Sequence, residues 1–183
     1  MSGEFEPFVE RLLDRYVGAG QRMLDVGCGP ATYRPVCKGR YIGVDLTTEP
    51  WAPGWPREPD LTASGDRLPF RAESFDLVMC KSTLYLMQEI RTAIAEFRRV
   101  LKPGGRLLVV DYNRRTQRDL ETKLAARYPC WTQFGLRRLV RSFGFRDCRL
   151  LSTATGEMGF LERLIRPPLQ EIFGTWAIVT GLK

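Results

Sequence analysis

Apolar positions along the chain follow two periods that alternate. Phe5, Val9, Leu12, Leu13 and Tyr16 recur every three or four residues and predict an amphipathic helix over 5–17, closed by Gly18 and Gly20. Short apolar runs predict strands over 22–26, over Tyr41-Ile42-Gly43-Val44-Asp45, over 60–64 and over 74–80. Between the first two, Pro30 and Pro35 leave room for only one or two turns of helix. Ile90, Ala93, Ile94, Phe97, Val100 and Leu101 form a second helical stripe over 89–101. Lys102-Pro103-Gly104-Gly105 stops that helix and launches a fifth strand at 106–112. Leu120 and Leu124 predict one further helix; Leu136, Leu139, Val140 and Phe143 predict another, ended by Gly144. Strands over 145–152 and 175–181 complete the pattern. Strand followed by helix, repeated along the chain, is the mark of an α/β protein with a doubly wound parallel sheet.

Two stretches fall outside this alternation. Pro50, Pro53, Pro56 and Pro59 recur every third residue, with Trp51 and Trp55 between them. This spacing suits a polyproline II segment, read as a rigid surface loop, a ligand for a partner domain, or a lid whose tryptophan covers a bound molecule. The apolar residues of 158–173, among them Phe160, Leu161, Leu164 and Ile165, lie around Pro167-Pro168. That stretch reads as core packing, as a cap over an apolar substrate, or as a peripheral membrane contact.

With 183 residues, 44% of them hydrophobic, the chain is expected to form one domain over 1–183. No run approaches the roughly 18 apolar residues of a membrane span, and the acidic start lacks the basic flank of a signal peptide, so a cytoplasmic location is expected. Five cysteines without a C-x-x-C pair favour free thiols, and a chain with no histidine is expected to hold no metal. The formal charge of +7 attracts anionic partners or is a plain surplus of surface arginine. Arg114, Arg115 and Arg118, placed after the fifth strand, could clamp an anionic substrate. Arg137, Arg138 and Arg141 read as a solvated helix face.

Candidate chemistry concentrates where the first strand runs into Asp25-Val26-Gly27-Cys28-Gly29-Pro30-Ala31. Two glycines spaced by one residue let a backbone approach a ligand at the carboxyl edge of a strand. The dinucleotide fingerprint G-x-G-x-x-G would need Gly or Ala at position 32, where the chain has Thr32. Asp45 ends the second strand, placed either to accept hydrogen bonds from both ribose hydroxyls of a nucleotide or simply to terminate the strand.

The acid-x-Gly-x-Gly-x-small pattern, Asp45, the run Leu68-Pro69-Phe70 ahead of Ser74-Phe75-Asp76, and Leu101-Lys-Pro-Gly-Gly occur here in one order. In these features the chain resembles the class I S-adenosylmethionine-dependent methyltransferases, of the small, single-domain, type 11 kind. The resemblance covers about residues 20–112 well. It implies a Rossmann-like, seven-stranded sheet, mostly parallel with an antiparallel last strand. It further implies S-adenosylmethionine as cofactor, S-adenosylhomocysteine as product, and a cofactor site drawn from Asp25, Gly27, Cys28, Gly29, Asp45, Leu46, Ser64, Gly65, Asp66 and Lys81. The family's adenine-binding acid falls on Ser64, so either Ser64 or nearby Asp66 is expected to take that bond.

Methyl transfer from a sulfonium is an in-line displacement that needs alignment more than a catalytic base. Without histidine an imidazole base is excluded, and Tyr85 and Asp111 are the candidate catalytic residues. The expected acceptor is a small molecule, anionic or apolar; the marks of nucleic-acid methyltransferases are absent, including any Asn/Asp-Pro-Pro-Tyr/Phe after the fourth strand. The alternative is a catalytically weak or inactive methyltransferase-like partner subunit. A nicotinamide-linked oxidoreductase is disfavoured by Thr32 and by the later landmarks.

Overall fold

A computed structural model describes residues 5–50, 57–112, 131–151 and 176–183. The first helix, α1 (Phe5–Tyr16), leads into β1 (Arg22–Val26), β2 (Arg40–Asp45), β3 (Leu61–Thr62) and β4 (Phe75–Lys81). After a single 3-10 turn at Leu84–Leu86 come α2 (Ile90–Val100), β5 (Leu101–Tyr112), α3 (Gln133–Ser142), β6 (Arg146–Leu151) and β7 (Trp176–Leu182). The strands form one seven-stranded sheet in the order β3-β2-β1-β4-β5-β7-β6. Strands β1 to β5 pair in parallel, while β7 runs antiparallel to both β5 and β6. The sheet is the Rossmann-like, mostly parallel one that the sequence resemblance implied.

Alternation along each strand explains why both faces are buried. Leu24, Val78, Cys80, Leu107, Val109, Ala177 and Val179 turn to one face, where Ala93, Ile94 and Phe97 of α2 and Leu136 and Val140 of α3 cover them. Their sequence neighbours Met23, Leu77, Met79, Leu108, Val110 and Ile178 turn to the other face and meet Phe8, Val9, Leu12 and Leu13 of α1.

Several expectations change. No helix forms between Pro30 and Pro35; backbone bonds from Ala31 to Cys28 and from Arg34 to Ala31 make consecutive turns instead. Each proline removes a donor that a helix would need. The third strand is two residues, not five. Strand β5 starts at Leu101 and not at Arg106, because Leu101 already pairs with Phe75 before the register shifts to Leu77 with Arg106. The Lys-Pro-Gly-Gly run is thus a bulge within the strand, with Gly104 at φ +75°. The helix expected around Leu120, the Arg114, Arg115 and Arg118 trio, Trp51, Trp55 and the 158–173 stretch lie outside the described residues.

Long-range bonds tie the landmarks together. Asp76 accepts the Arg22 N–H (2.8 Å) and the Lys102 ammonium (2.9 and 2.8 Å), joining the starts of β1, β4 and β5. Glu96 of α2 accepts the Leu68 N–H, while Arg99 donates to the Leu68 and Phe70 carbonyls. The Leu-Pro-Phe turn is therefore clamped to the helix.

Asp76→Ala should destabilise the fold by roughly 1.5–3 kcal/mol, the range for bonds to a charged group. Burial raises the Asp76 pKa, but the Lys102 and Arg22 bonds outweigh it and hold the carboxyl below its ordinary value. Its contribution is therefore present above the unfolded pKa of about 4 and is lost as pH falls through the folded value. Urea unfolding of wild type and variant at pH 7 and pH 3 should show the difference shrinking at the lower pH.

Candidate active site

The chain leaves β1 through residues that take left-handed backbone, with φ of +74° at Gly27 and +52° at Gly29. A Cβ on Gly27 would lie 2.2 Å from Cγ2 and 2.4 Å from Oγ1 of Thr83, so no side chain fits there. The Thr83 hydroxyl in turn lies 3.2 Å from the Gly27 carbonyl and 2.9 Å from that of Lys81. Gly29 is the opposite case: nothing stands within 4 Å of where its Cβ would project. Its flank is open, so a ligand can bring atoms close to the backbone there.

The loop is fixed to β2. Gly27 and Cys28 both donate to the Val44 carbonyl (2.8 and 3.0 Å), and the Gly29 N–H donates to Asp45 Oδ2 (2.9 Å). Asp45 Oδ1 accepts the Leu46 N–H (2.7 Å), with Arg57 Nε at 3.7 Å. Each carboxylate oxygen has a second lone pair, which these N–H bonds leave for a further donor. Beside it Leu46 is 69% exposed, an apolar side chain at the rim of the edge. Ser64 and Asp66 are half-buried, and among the described residues neither side chain has a hydrogen-bond partner. Between them Gly65 is buried, with Met87 packed over it so that a Cβ would sit 2.7 Å from Met87 Cε.

Asp25 and Cys28 lie behind this surface. Asp25 is 3% exposed and accepts the Tyr41 hydroxyl at 2.7 Å. Burial raises its pKa to about 6, although the Tyr41 bond and the Lys81 charge oppose the rise. The Cys28 sulfur packs toward Gly43, whose Cβ would approach it to 2.9 Å. Burial, with the negative charges of Asp25 and Asp45, pushes that thiol up to about 12, so it stays protonated and inert. Cys28 can offer a ligand only its backbone. The Lys81 ammonium sits 5.4 Å over the Tyr33 ring and close enough to Asp25 to favour its ionised form.

Tyr85 and Asp111 meet one strand further along. Asp111 has no exposed surface; Oδ2 accepts the Tyr85 N–H (3.1 Å) and Oδ1 the Tyr112 N–H (2.8 Å). Burial raises its pKa to about 7 against those two bonds. Both carboxylate oxygens are thus engaged, and the bond from the Tyr85 N–H ties the turn after β4 to the end of β5. Tyr85 itself, 8% exposed, stands edge-on to Tyr112 (5.5 Å), which stacks on Trp176 (4.6 Å).

Sequence reasoning missed Tyr41, Thr83 and Arg57. Tyr41 was legible in principle, since β1 and β2 pair Met23 with Tyr41 and Asp25 is two residues along the same face. The contacts of Thr83 with Gly27 and of Arg57 with Asp45 join distant parts of the chain and leave no local signal.

Residues 24–109 match the model of a methyltransferase domain family. A demethylmenaquinone methyltransferase of Mycobacterium sp. is 27% identical, over 83% of this chain and 79% of its own length. A ubiquinone/menaquinone biosynthesis C-methyltransferase of Syntrophotalea carbinolica is 32% identical over 70% of this chain and 53% of its own. Among solved structures, phosphoethanolamine N-methyltransferase 2 of Haemonchus contortus, in complex with S-adenosyl-L-methionine, shares the fold. It has a TM-score of 0.67 and 18% identity over 94% of this chain and 51% of its own. The glycine edge, the strand order and these likenesses agree: they support a class I S-adenosylmethionine-dependent methyltransferase that transfers a methyl group to a small-molecule acceptor.

Proposed function

We propose that residues 1–183 act as one domain that holds S-adenosylmethionine across the ends of β1, β2 and β4 and presents it to an acceptor beside Tyr85. The observation that carries this reading is the open flank of Gly29 next to the Asp45 carboxylate, whose oxygens retain lone pairs. Residues of the edge fit the cofactor's parts. Asp45 accepts the ribose hydroxyls, exposed Leu46 offers apolar surface to the purine, and Ser64 or Asp66 takes its amino group. Gly27, Cys28 and Gly29 contribute backbone, Gly65 allows the close packing beneath, and Asp25 and Lys81 support the loop from behind.

When bound, the cofactor supplies a methyl group already activated on a sulfonium. What the protein adds is alignment and exclusion of water. With Asp111 enclosed, the acceptor brings its own acidity and reacts as a phenolate, enolate, carboxylate or thiolate. The names of the quinone-directed relatives favour a flat, phenol-like acceptor methylated at carbon. Among the described residues Cys28, Cys37, Cys80 and Cys148 are free thiols, which supports a reducing, cytoplasmic setting. Among the described residues no helix is long and apolar enough to cross a membrane.

Asp45→Ala should weaken S-adenosylhomocysteine binding by roughly 10- to 150-fold, equivalent to 1.5–3 kcal/mol. Titration calorimetry on the folded variant checks this, and unchanged affinity removes Asp45 from the site. A second test separates the enclosed acid from a base. Because its folded pKa is raised, the Asp111 contribution is full below the unfolded value of about 4 and is lost as pH rises through about 7. Wild type should therefore lose roughly 2–3 kcal/mol more stability than Asp111→Asn between pH 5 and pH 8. Equal pH slopes in urea unfolding would show that Asp111 is not buried as described.

A further inference from the structure

Helices α2 and α3 cover the same face of the sheet, and their outer side carries arginine without matching acid. Arg91 and Arg98 of α2 and Arg138 and Arg141 of α3 are exposed; Arg137 is half-buried, its guanidinium 5.6 Å over the Phe134 ring. Two of these side chains join the helices into one surface. The Arg91 guanidinium lies 5.1 Å over the Phe143 ring just past α3, and Arg98 Nε comes within 3.3 Å of where a Cβ on Gly144 would stand.

Among the described residues none of the five is ion-paired. Nearby acids are engaged with other partners: Glu96 with Arg99 and Asp147 with Arg149. Glu89, ahead of α2, is the one further acid of these elements.

The same face has an apolar tip. Phe134, in the first turn of α3, is 49% exposed. Its neighbour Gln133 donates from Nε2 to the Trp176 carbonyl (3.1 Å), and Trp176 pairs with Tyr112 at the end of β5. Phe134 thus stands at the edge of the sheet where the candidate active site lies.

One exposed aromatic at the end of a cationic helix pair is the composition of an interfacial surface, with apolar body and positive heads. A nucleic-acid site would instead set several aromatics along a groove. We propose that the α2–α3 face docks the protein on an anionic lipid surface, with Arg91, Arg98, Arg137, Arg138 and Arg141 over the headgroups and Phe134 entering the acyl boundary.

The test is co-sedimentation of the full chain with phosphatidylcholine vesicles, with and without about one-third phosphatidylglycerol, at low and high salt. Binding to the anionic vesicles alone is expected, falling as salt rises. Each arginine removed should cost about five-fold, so the triple variant Arg137→Ala, Arg138→Ala, Arg141→Ala should bind on the order of a hundred-fold less tightly. Phe134→Ala should lose several-fold more at high salt than the arginine variant's salt dependence accounts for. Thermal unfolding with and without S-adenosylhomocysteine verifies that both variants are folded. Binding to neutral vesicles as tight as to anionic ones, absence of anionic-vesicle binding, or a triple variant that binds like wild type would overturn the proposal. So would binding of a single-stranded RNA oligonucleotide through these arginines in a protein that ignores vesicles.

Discussion

The contact between Gly27 and Thr83 sets the shape of everything around the site. Thr83 stands just beyond β4 with its methyl and hydroxyl against a backbone that has no Cβ, and that closeness holds the loop after β1 in left-handed conformation. From there the Val44 carbonyl collects two N–H groups and Asp45 collects a third. Ends of three neighbouring strands are thereby locked to one another by backbone geometry. The carboxylate of Asp45 is thereby held beside the open flank of Gly29.

Charge is distributed in a way that the net value of +7 conceals. At the glycine edge acids and bases alternate: Asp45 has the Arg57 guanidinium at 3.7 Å, and Asp25 feels the Lys81 and Arg34 charges. A further set of arginines, Arg91, Arg98, Arg138 and Arg141, is exposed on the outer side of α2 and α3. Buried Asp25 and Asp111 are held as acids with raised pKa values, each tied to an N–H or O–H donor from another strand or turn.

Period-two patterning made the strands legible, because every central strand divides its residues between two covered faces. The glycine spacing made the ligand edge legible for the same local reason. What could not be read was decided at long range. Leu101 looked like the end of a helix because Pro103 and the glycines follow it, yet its pairing with Phe75 makes it the start of a strand. Asp111 reads as a candidate catalytic residue at the end of a strand, and only the folded chain shows that its carboxyl is buried and accepts the Tyr85 N–H. Arg57 beside Asp45 depends on how the loop before β3 returns to the end of β2.

The central claim, that the Gly29–Asp45 edge is a binding site for S-adenosylmethionine, is tested most directly by thermal unfolding with S-adenosylmethionine, with S-adenosylhomocysteine and with NAD. At about a hundred times its dissociation constant a ligand stabilises the folded state by roughly 2.7 kcal/mol, or about 5–10 °C for a chain of this size. The account predicts that shift with the two sulfur nucleotides and none with NAD. No shift with either sulfur nucleotide, or an equal one with NAD, would contradict it.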